Sequence, residues 1–293
     1  MKYMIATAAA AAACILLGTA LAWLAARRRN MPPRRKALLA AVFSVLLLVV
    51  VSLGYLETYY RAGETAKAYL TGEPAQDAAA VSVQKTDTGY FFDGPGESSA
   101  IIFYGGAKVE ETAYAPFLYM LSQRGADCFL VKAPFRVAVT AAGAADKIIQ
   151  EYAYQDYYLA GHSLGGVAAS AAAVGHPGTV KGLILLASYP NRKIPDEIPL
   201  LSIYGSEDGC LDREMYEKSR GNHPADTQEI VIEGGNHAQF GDYGPQKGDG
   251  TAQITPEEQW EKTADAVMNL LQKISEKAHG FNRGRMSNSS RRK

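Results

Sequence analysis

The chain has 293 residues, 47% of them hydrophobic and 20% charged, the balance of an ordinary folded protein, which excludes disordered, collagen-like and disulfide-scaffold classes. Formal charge is zero, but basic residues crowd into two clusters: Arg27, Arg28, Arg29, Arg34, Arg35 and Lys36, then Arg283, Arg285, Arg291, Arg292 and Lys293. With these and Lys2 set aside, 18 basic side chains face all 30 acids, an acidic body that argues against a nucleic-acid partner.

Residues 4–26 and 37–56 carry no charge, and each run has the roughly 20 residues needed to cross about 30 Å of hydrocarbon. Two transmembrane helices are expected, making residues 1–56 an anchor with a basic loop at 27–36. Pro32 and Pro33 interrupt any continuous helix there, and the arginines hold that short loop on the cytoplasmic side, so the rest of the chain is expected outside, on a multi-pass cell-membrane protein. A cleaved signal peptide with Lys2 as its charged region is the alternative for the first run, although its apolar stretch is long for a signal core. Cys14 reads as lipid-facing or packed.

Residues 57–80 mix charges with Gly63, Gly72 and Pro74 and read as a stalk without a site. From residue 81 short β-rich runs alternate with Ala-rich helical ones. Strands are predicted near 81–85, 90–93, 101–104, 128–132, 157–160, 182–186, 200–204 and 229–232. Helices are predicted near 111–124, 141–154, 164–174 and 256–274, the last opened by Thr255 as cap with Pro256 in its first turn. The pattern specifies an α/β fold, a mostly parallel sheet of about eight strands with helices on both faces, over residues 81–277. Residues 278–293 are expected to be a disordered basic tail.

In such sheets reactive groups gather where strands end. The strand at 157–160 runs into Gly161-His162-Ser163-Leu164-Gly165 and then a helical run. Glycines permit a sharp turn that exposes the Ser163 hydroxyl, and the helix start aims unpaired N–H groups at any oxyanion formed there. A serine needs a base, and the base needs an orienting group. Two further strand ends supply candidates: Gly205-Ser206-Glu207-Asp208-Gly209 and Gly234-Gly235-Asn236-His237. Ser163, Asp208, His237 is the chain order that this nucleophile turn requires.

Over about residues 81–274 the sequence resembles the α/β-hydrolase superfamily, and more closely its small dienelactone-hydrolase-like members and a membrane-anchored branch related to them. Tyr104-Gly105-Gly106-Ala107-Lys108-Val109, Gly-Ser-x-Asp-Gly and Gly-Gly-Asn-His-Ala-Gln-Phe-Gly carry the likeness. The resemblance implies Ser163 as nucleophile, His237 as general base and then acid, and Asp208, rather than its rival Glu207, as the orienting carboxylate. It implies an oxyanion hole from the backbone N–H of Leu164 and of Gly106 or Ala107, although many relatives have His-Gly where this chain has Tyr104-Gly105.

His162 reads as packing the elbow, and no histidine has metal-ligand spacing with a cysteine or carboxylate. No cofactor is implied. The strands nearest Cys128 and Cys210 lie four spacings apart in the superfamily's order, roughly 19 Å, so unpaired thiols are expected. Residues 187–199 leave no room for a lid domain, so the site is expected to be open. Residues 238–255 form the longest irregular stretch and are expected to wall the substrate pocket, with Phe240 and Tyr243 as contacts. The expected activity is cleavage of an ester or related acyl bond in a small or lipid-like acyl substrate, through an acyl-serine intermediate. An acyltransferase with the same three residues, or an inactive membrane-tethered binding protein on the same fold, are the alternatives.

Overall fold

The computed structural model describes residues 2–27, 31–71 and 81–290, in two units, 1–58 and 59–293. In the first unit, α1 (Lys2–Arg27) and α2 (Pro33–Leu56) pack together. The small residues at their contact let the backbones approach: a Cβ on Gly18 would lie 2.2 Å from Ser44 Oγ, and Cys14 and Ala22 are buried there. Leu16, Trp23, Leu38, Val45 and Val50 are exposed on the outside. Among the described residues one helix is long and apolar enough to cross a membrane, Pro33–Tyr55. Among the described residues one candidate span therefore stands where two were expected.

In the second unit a hairpin of β1 (Ser82–Thr86) and β2 (Gly89–Asp93) is followed by β3 (Ser99–Tyr104), β4 (Asp127–Val131), β5 (Asp156–His162), β6 (Val180–Leu186), β7 (Leu200–Gly205) and β8 (Thr227–Ile232). They form one eight-stranded sheet in the order β1-β2-β4-β3-β5-β6-β7-β8. β2 is antiparallel to its neighbours β1 and β4, and β4-β3-β5-β6-β7-β8 run parallel. All eight predicted strands are present, with ends moved by a residue or two. The central strands are apolar on both faces, as burial between two helical layers demands. Ile101 and Phe103 of β3 face one layer, which includes Leu118 and Trp260. Ala100, Ile102 and Tyr104 face the other, with Ile148 and Ala169.

The helices are α3 (Glu64–Thr71), α4 (Ala115–Gln123), α5 (Ala144–Glu151), α6 (Leu164–Gly175), α7 (Arg213–Ser219) and α8 (Pro256–Ser290). The segment predicted as one helix at 111–124 opens instead with a 3-10 turn, Glu111–Tyr114. α7 was not expected; Asp212 caps it by accepting the Met215 N–H at 3.0 Å. α8 is described as far as Ser290, and residues 291–293 lie outside the described ones.

Residues 59–71, part of the expected stalk, pack within the second unit: Tyr60 pairs with Val109 in a parallel bridge, Ala66 is buried, and Tyr69 stacks edge-on against Tyr119 of α4, centroids 5.2 Å apart. The rest of that expected stalk, residues 72–80, lies outside the described residues.

Candidate active site

The turn from β5 to α6 carries Ser163 at φ 52°, ψ −124°, a conformation that costs a non-glycine residue about 1–3 kcal/mol and persists only where its surroundings enforce it. They do so closely. The Ser163 N–H donates to Leu186 O at 2.9 Å, and Ser188 Oγ donates to Ser163 O at 2.6 Å. A Cβ on Gly165 would sit 2.0 Å from Tyr104 O, and one on Gly161 would sit 2.4 Å from the Gly165 carbonyl carbon. Larger residues would separate the α6 N-terminus from β3 and β5.

Asp208 follows β7 and His237 follows β8. His237 Nδ1 lies 3.0 Å from Asp208 Oδ2, with both side chains buried. The other oxygen, Asp208 Oδ1, accepts the N–H groups of Cys210 at 2.9 Å and Leu211 at 2.8 Å. Burial alone would raise the Asp208 pKa, but the His237 hydrogen bond, the His237 charge and the two backbone N–H groups outweigh it and hold the carboxyl below its ordinary range. Glu207, the rival acid, instead accepts from Ser206 Oγ at 3.0 Å. His237 and Ser163 line one cleft of about 230 Å³ with Leu164, Val167, Tyr189, Leu211 and Asp212.

His162 packs beneath the elbow, as expected. Its ring centroid is 4.5 Å from that of His237 and 5.6 Å from that of Phe240. Its Nδ1 is 2.8 Å from Tyr114 Oη, and the same Oη accepts the Gly106 N–H at 2.8 Å. Burial first, then the neighbouring His237 charge, push the His162 pKa well below its ordinary value, leaving a neutral ring. The Gly106 N–H is thus occupied, and Ala107, exposed in the turn after β3, is the other expected donor.

Phe240 and Tyr243, the expected substrate contacts, are buried. They are 1% and 6% exposed and are not among the residues that line the cleft with Ser163. Phe240 backs His162, and Tyr243 packs against Tyr60 and Tyr114, with centroids 5.7 and 6.5 Å away. Aromatic rings in an irregular segment were drawn into the core because hydrophobic burial outweighs the lack of regular structure. Residues 238–255 hold the backbone around His237. Asp249, which the sequence reading passed over, accepts N–H groups from Gly209 (3.0 Å), His237 (3.3 Å), Ala238 (2.8 Å) and its neighbour Gly250 (2.9 Å). Gln259 of α8 is likewise engaged, holding Asn236 by its N–H at 3.0 Å and its carbonyl at 2.9 Å. Among the described residues no group of three or more His, Cys, Asp or Glu could hold a metal ion, and Cys128 and Cys210 are unpaired.

The model of the alpha/beta hydrolase family matches residues 100–261. Among solved structures, alpha/beta hydrolase domain-containing protein 10 from mouse is similar at 14% identity and TM-score 0.50, covering 67% of this chain and 100% of that one. Dienelactone hydrolase from Anabaena variabilis is similar at 15% identity and TM-score 0.48 over 66% and 99% of the two chains. Est1E from Butyrivibrio proteoclasticus is similar at 15% identity and TM-score 0.46 over 67% and 100%. No curated protein matches. With its sheet order, its strand-to-helix turn at Ser163 and the family match over more than half its length, the chain belongs to the alpha/beta hydrolase family.

Proposed function

We propose that this protein is a membrane-anchored serine hydrolase that cleaves an ester or related acyl bond. The observation that carries the reading is the buried 3.0 Å contact of His237 Nδ1 with Asp208 Oδ2, made by an imidazole that shares a cleft with Ser163. In this reading Asp208 keeps the Nδ1 proton in place, so Nε2 is free to accept the Ser163 proton as Oγ attacks the acyl carbon. The tetrahedral oxyanion is held by the N–H of Leu164, one of the unpaired donors at the start of α6, and by that of Ala107. Imidazolium then protonates the leaving group. Water, deprotonated by the same nitrogen, releases the acyl group and restores Ser163.

The anchor is α2, with the Arg-rich loop before it on the cytoplasmic side and the enzyme body outside. The test is labelling of the full chain in isolated membranes with a fluorophosphonate probe. Labelling of wild type, absent in Ser163→Ala and retained in the pellet after carbonate washing, is the expected result. An unlabelled wild type that is folded would overturn the assignment of Ser163, and a labelled supernatant would overturn the anchor.

The cleft holds about 230 Å³. Of the described residues lining it, Asp212 is the one that carries a carboxylate, and it disfavours anionic substrates. Asp212→Asn keeps a side-chain oxygen to cap α7 and removes the charge. It should raise kcat/KM about threefold to tenfold for an ester bearing a carboxylate, less so at high salt, and leave a neutral ester unchanged. Steady-state kinetics on matched neutral and anionic esters checks this.

A further inference from the structure

We propose that residues 59–66 are a positioning strap for the turn after β3, so that the segment directly following α2 sets the geometry of the oxyanion hole. The inference rests on the serine-hydrolase reading above and deepens it.

The turn that carries Ala107 is held from outside on both sides. The Tyr60 N–H donates to Lys108 O at 2.8 Å and the Glu110 N–H donates to Tyr60 O at 2.9 Å, while the Lys108 N–H donates to Arg136 O at 2.9 Å. Lys108 itself has φ 58° and Arg136 φ 56°. Two non-glycine residues in the left-handed region stay there only when neighbouring contacts enforce it. The strap supplies such contacts. The Ala62 N–H donates to Glu110 Oε2 at 3.1 Å, and the Arg136 guanidinium lies 3.4 Å from the centroid of the Tyr59 ring, a cation–π contact.

The same segment is fastened at its other side to the loop that follows the base. The Gly63 N–H donates to Asp242 O at 2.7 Å, the Ala66 N–H to Asp242 Oδ2 at 2.7 Å, and the Lys247 N–H to Tyr60 Oη at 3.1 Å. One short stretch of chain therefore spans two loops, one carrying the expected second oxyanion donor and the other following His237. The strap touches neither substrate nor reacting atoms; it acts by fixing where the Ala107 N–H points. A donor displaced from the oxyanion costs transition-state binding and leaves ground-state binding intact.

The experiment uses the full chain in detergent, with a nitrophenyl butyrate as substrate and a trifluoromethyl ketone as tetrahedral analogue. Glu110→Ala removes the acceptor of the Ala62 N–H, Glu110→Gln keeps a carbonyl oxygen for it, and Tyr60→Pro deletes the N–H bonded to Lys108 O. The expected result is a fall in kcat of about tenfold for Glu110→Ala and about 100-fold for Tyr60→Pro, with KM within about twofold and the ketone Ki raised by the same factor as kcat/KM is lowered. Glu110→Gln should restore kcat to within about twofold of wild type. If Tyr60→Pro does not fold, the Glu110 pair decides. An unchanged kcat in folded Glu110→Ala, or a loss of kcat without weakening of the ketone, overturns the strap. Absence of turnover in wild type overturns the serine-hydrolase reading on which it rests.

Discussion

Asp208→Asn should lower kcat by about 10⁴-fold with little change in KM. The reason lies in how the carboxylate is shared. Oδ1 accepts two backbone N–H groups, from Cys210 and Leu211, so an asparagine must place its carbonyl oxygen there and turn its amide nitrogen toward His237 Nδ1. That nitrogen donates, which forces Nδ1 to accept and moves the imidazole proton to Nε2, where it blocks uptake of the serine proton. Wild type should also show an acid limb that the variant's stability lacks. The Asp208 pKa is lowered on folding, so the ionised form stabilises the fold above the unfolded-state value near 4, and that contribution is lost as pH falls through the lowered folded value. Single-turnover kinetics and melting temperature as functions of pH check both statements.

Asp249→Ala should be the most destabilising substitution around His237. It removes the acceptor of four backbone N–H groups and leaves part-buried donors unsatisfied, at a cost of about 2–3 kcal/mol. For a body of this size that is a drop in melting temperature of about 4–12 °C. Activity should fall about tenfold or more, because the His237 and Ala238 N–H groups and the Gly209 N–H beside Asp208 lose their common tie. Asp249→Asn should be milder. An oxygen in the Oδ1 position keeps the bonds from Gly209, His237 and Gly250, and only the Ala238 N–H faces an amide. Thermal melts followed by circular dichroism, with kcat measured on the same preparations, test the order Asp249→Ala below Asp249→Asn below wild type.

What the sequence discloses, and what it conceals, follows from how local each signal is. Ile101, Ile102 and Phe103 read as a buried strand because apolar runs bounded by turn residues need no distant partner to be recognised. Gly161 and Gly165 around Ser163, with Asp208 and His237 at later strand ends, are legible as spacing within a few residues and as chain order. The strap was not legible. Ala62 meets Glu110 across 48 positions and Ala66 meets Asp242 across 176, and backbone N–H groups have no side-chain signature. Asp249, in a glycine-rich loop, looks like any solvated carboxylate until Gly209, 40 residues away, is brought to it. α7 shows no apolar stripe, since of its seven residues Tyr216 and Ser219 are the buried ones. The burial of Phe240 and Tyr243 was not legible either, because exposure is a property of the fold, and aromatic rings in a loop look the same whether they wait for a ligand or close the core.

The attachment of residues 59–71 to the enzyme body also decides where a water-soluble fragment can begin. A fragment cut at Val81, at the start of regular strand structure, would strip Tyr69 from Tyr119 and leave the Glu110 and Asp242 carboxylates without the Ala62 and Ala66 donors. It would uncover an apolar face beside α4 and invite self-association during expression. A fragment begun at Tyr59 keeps that face covered.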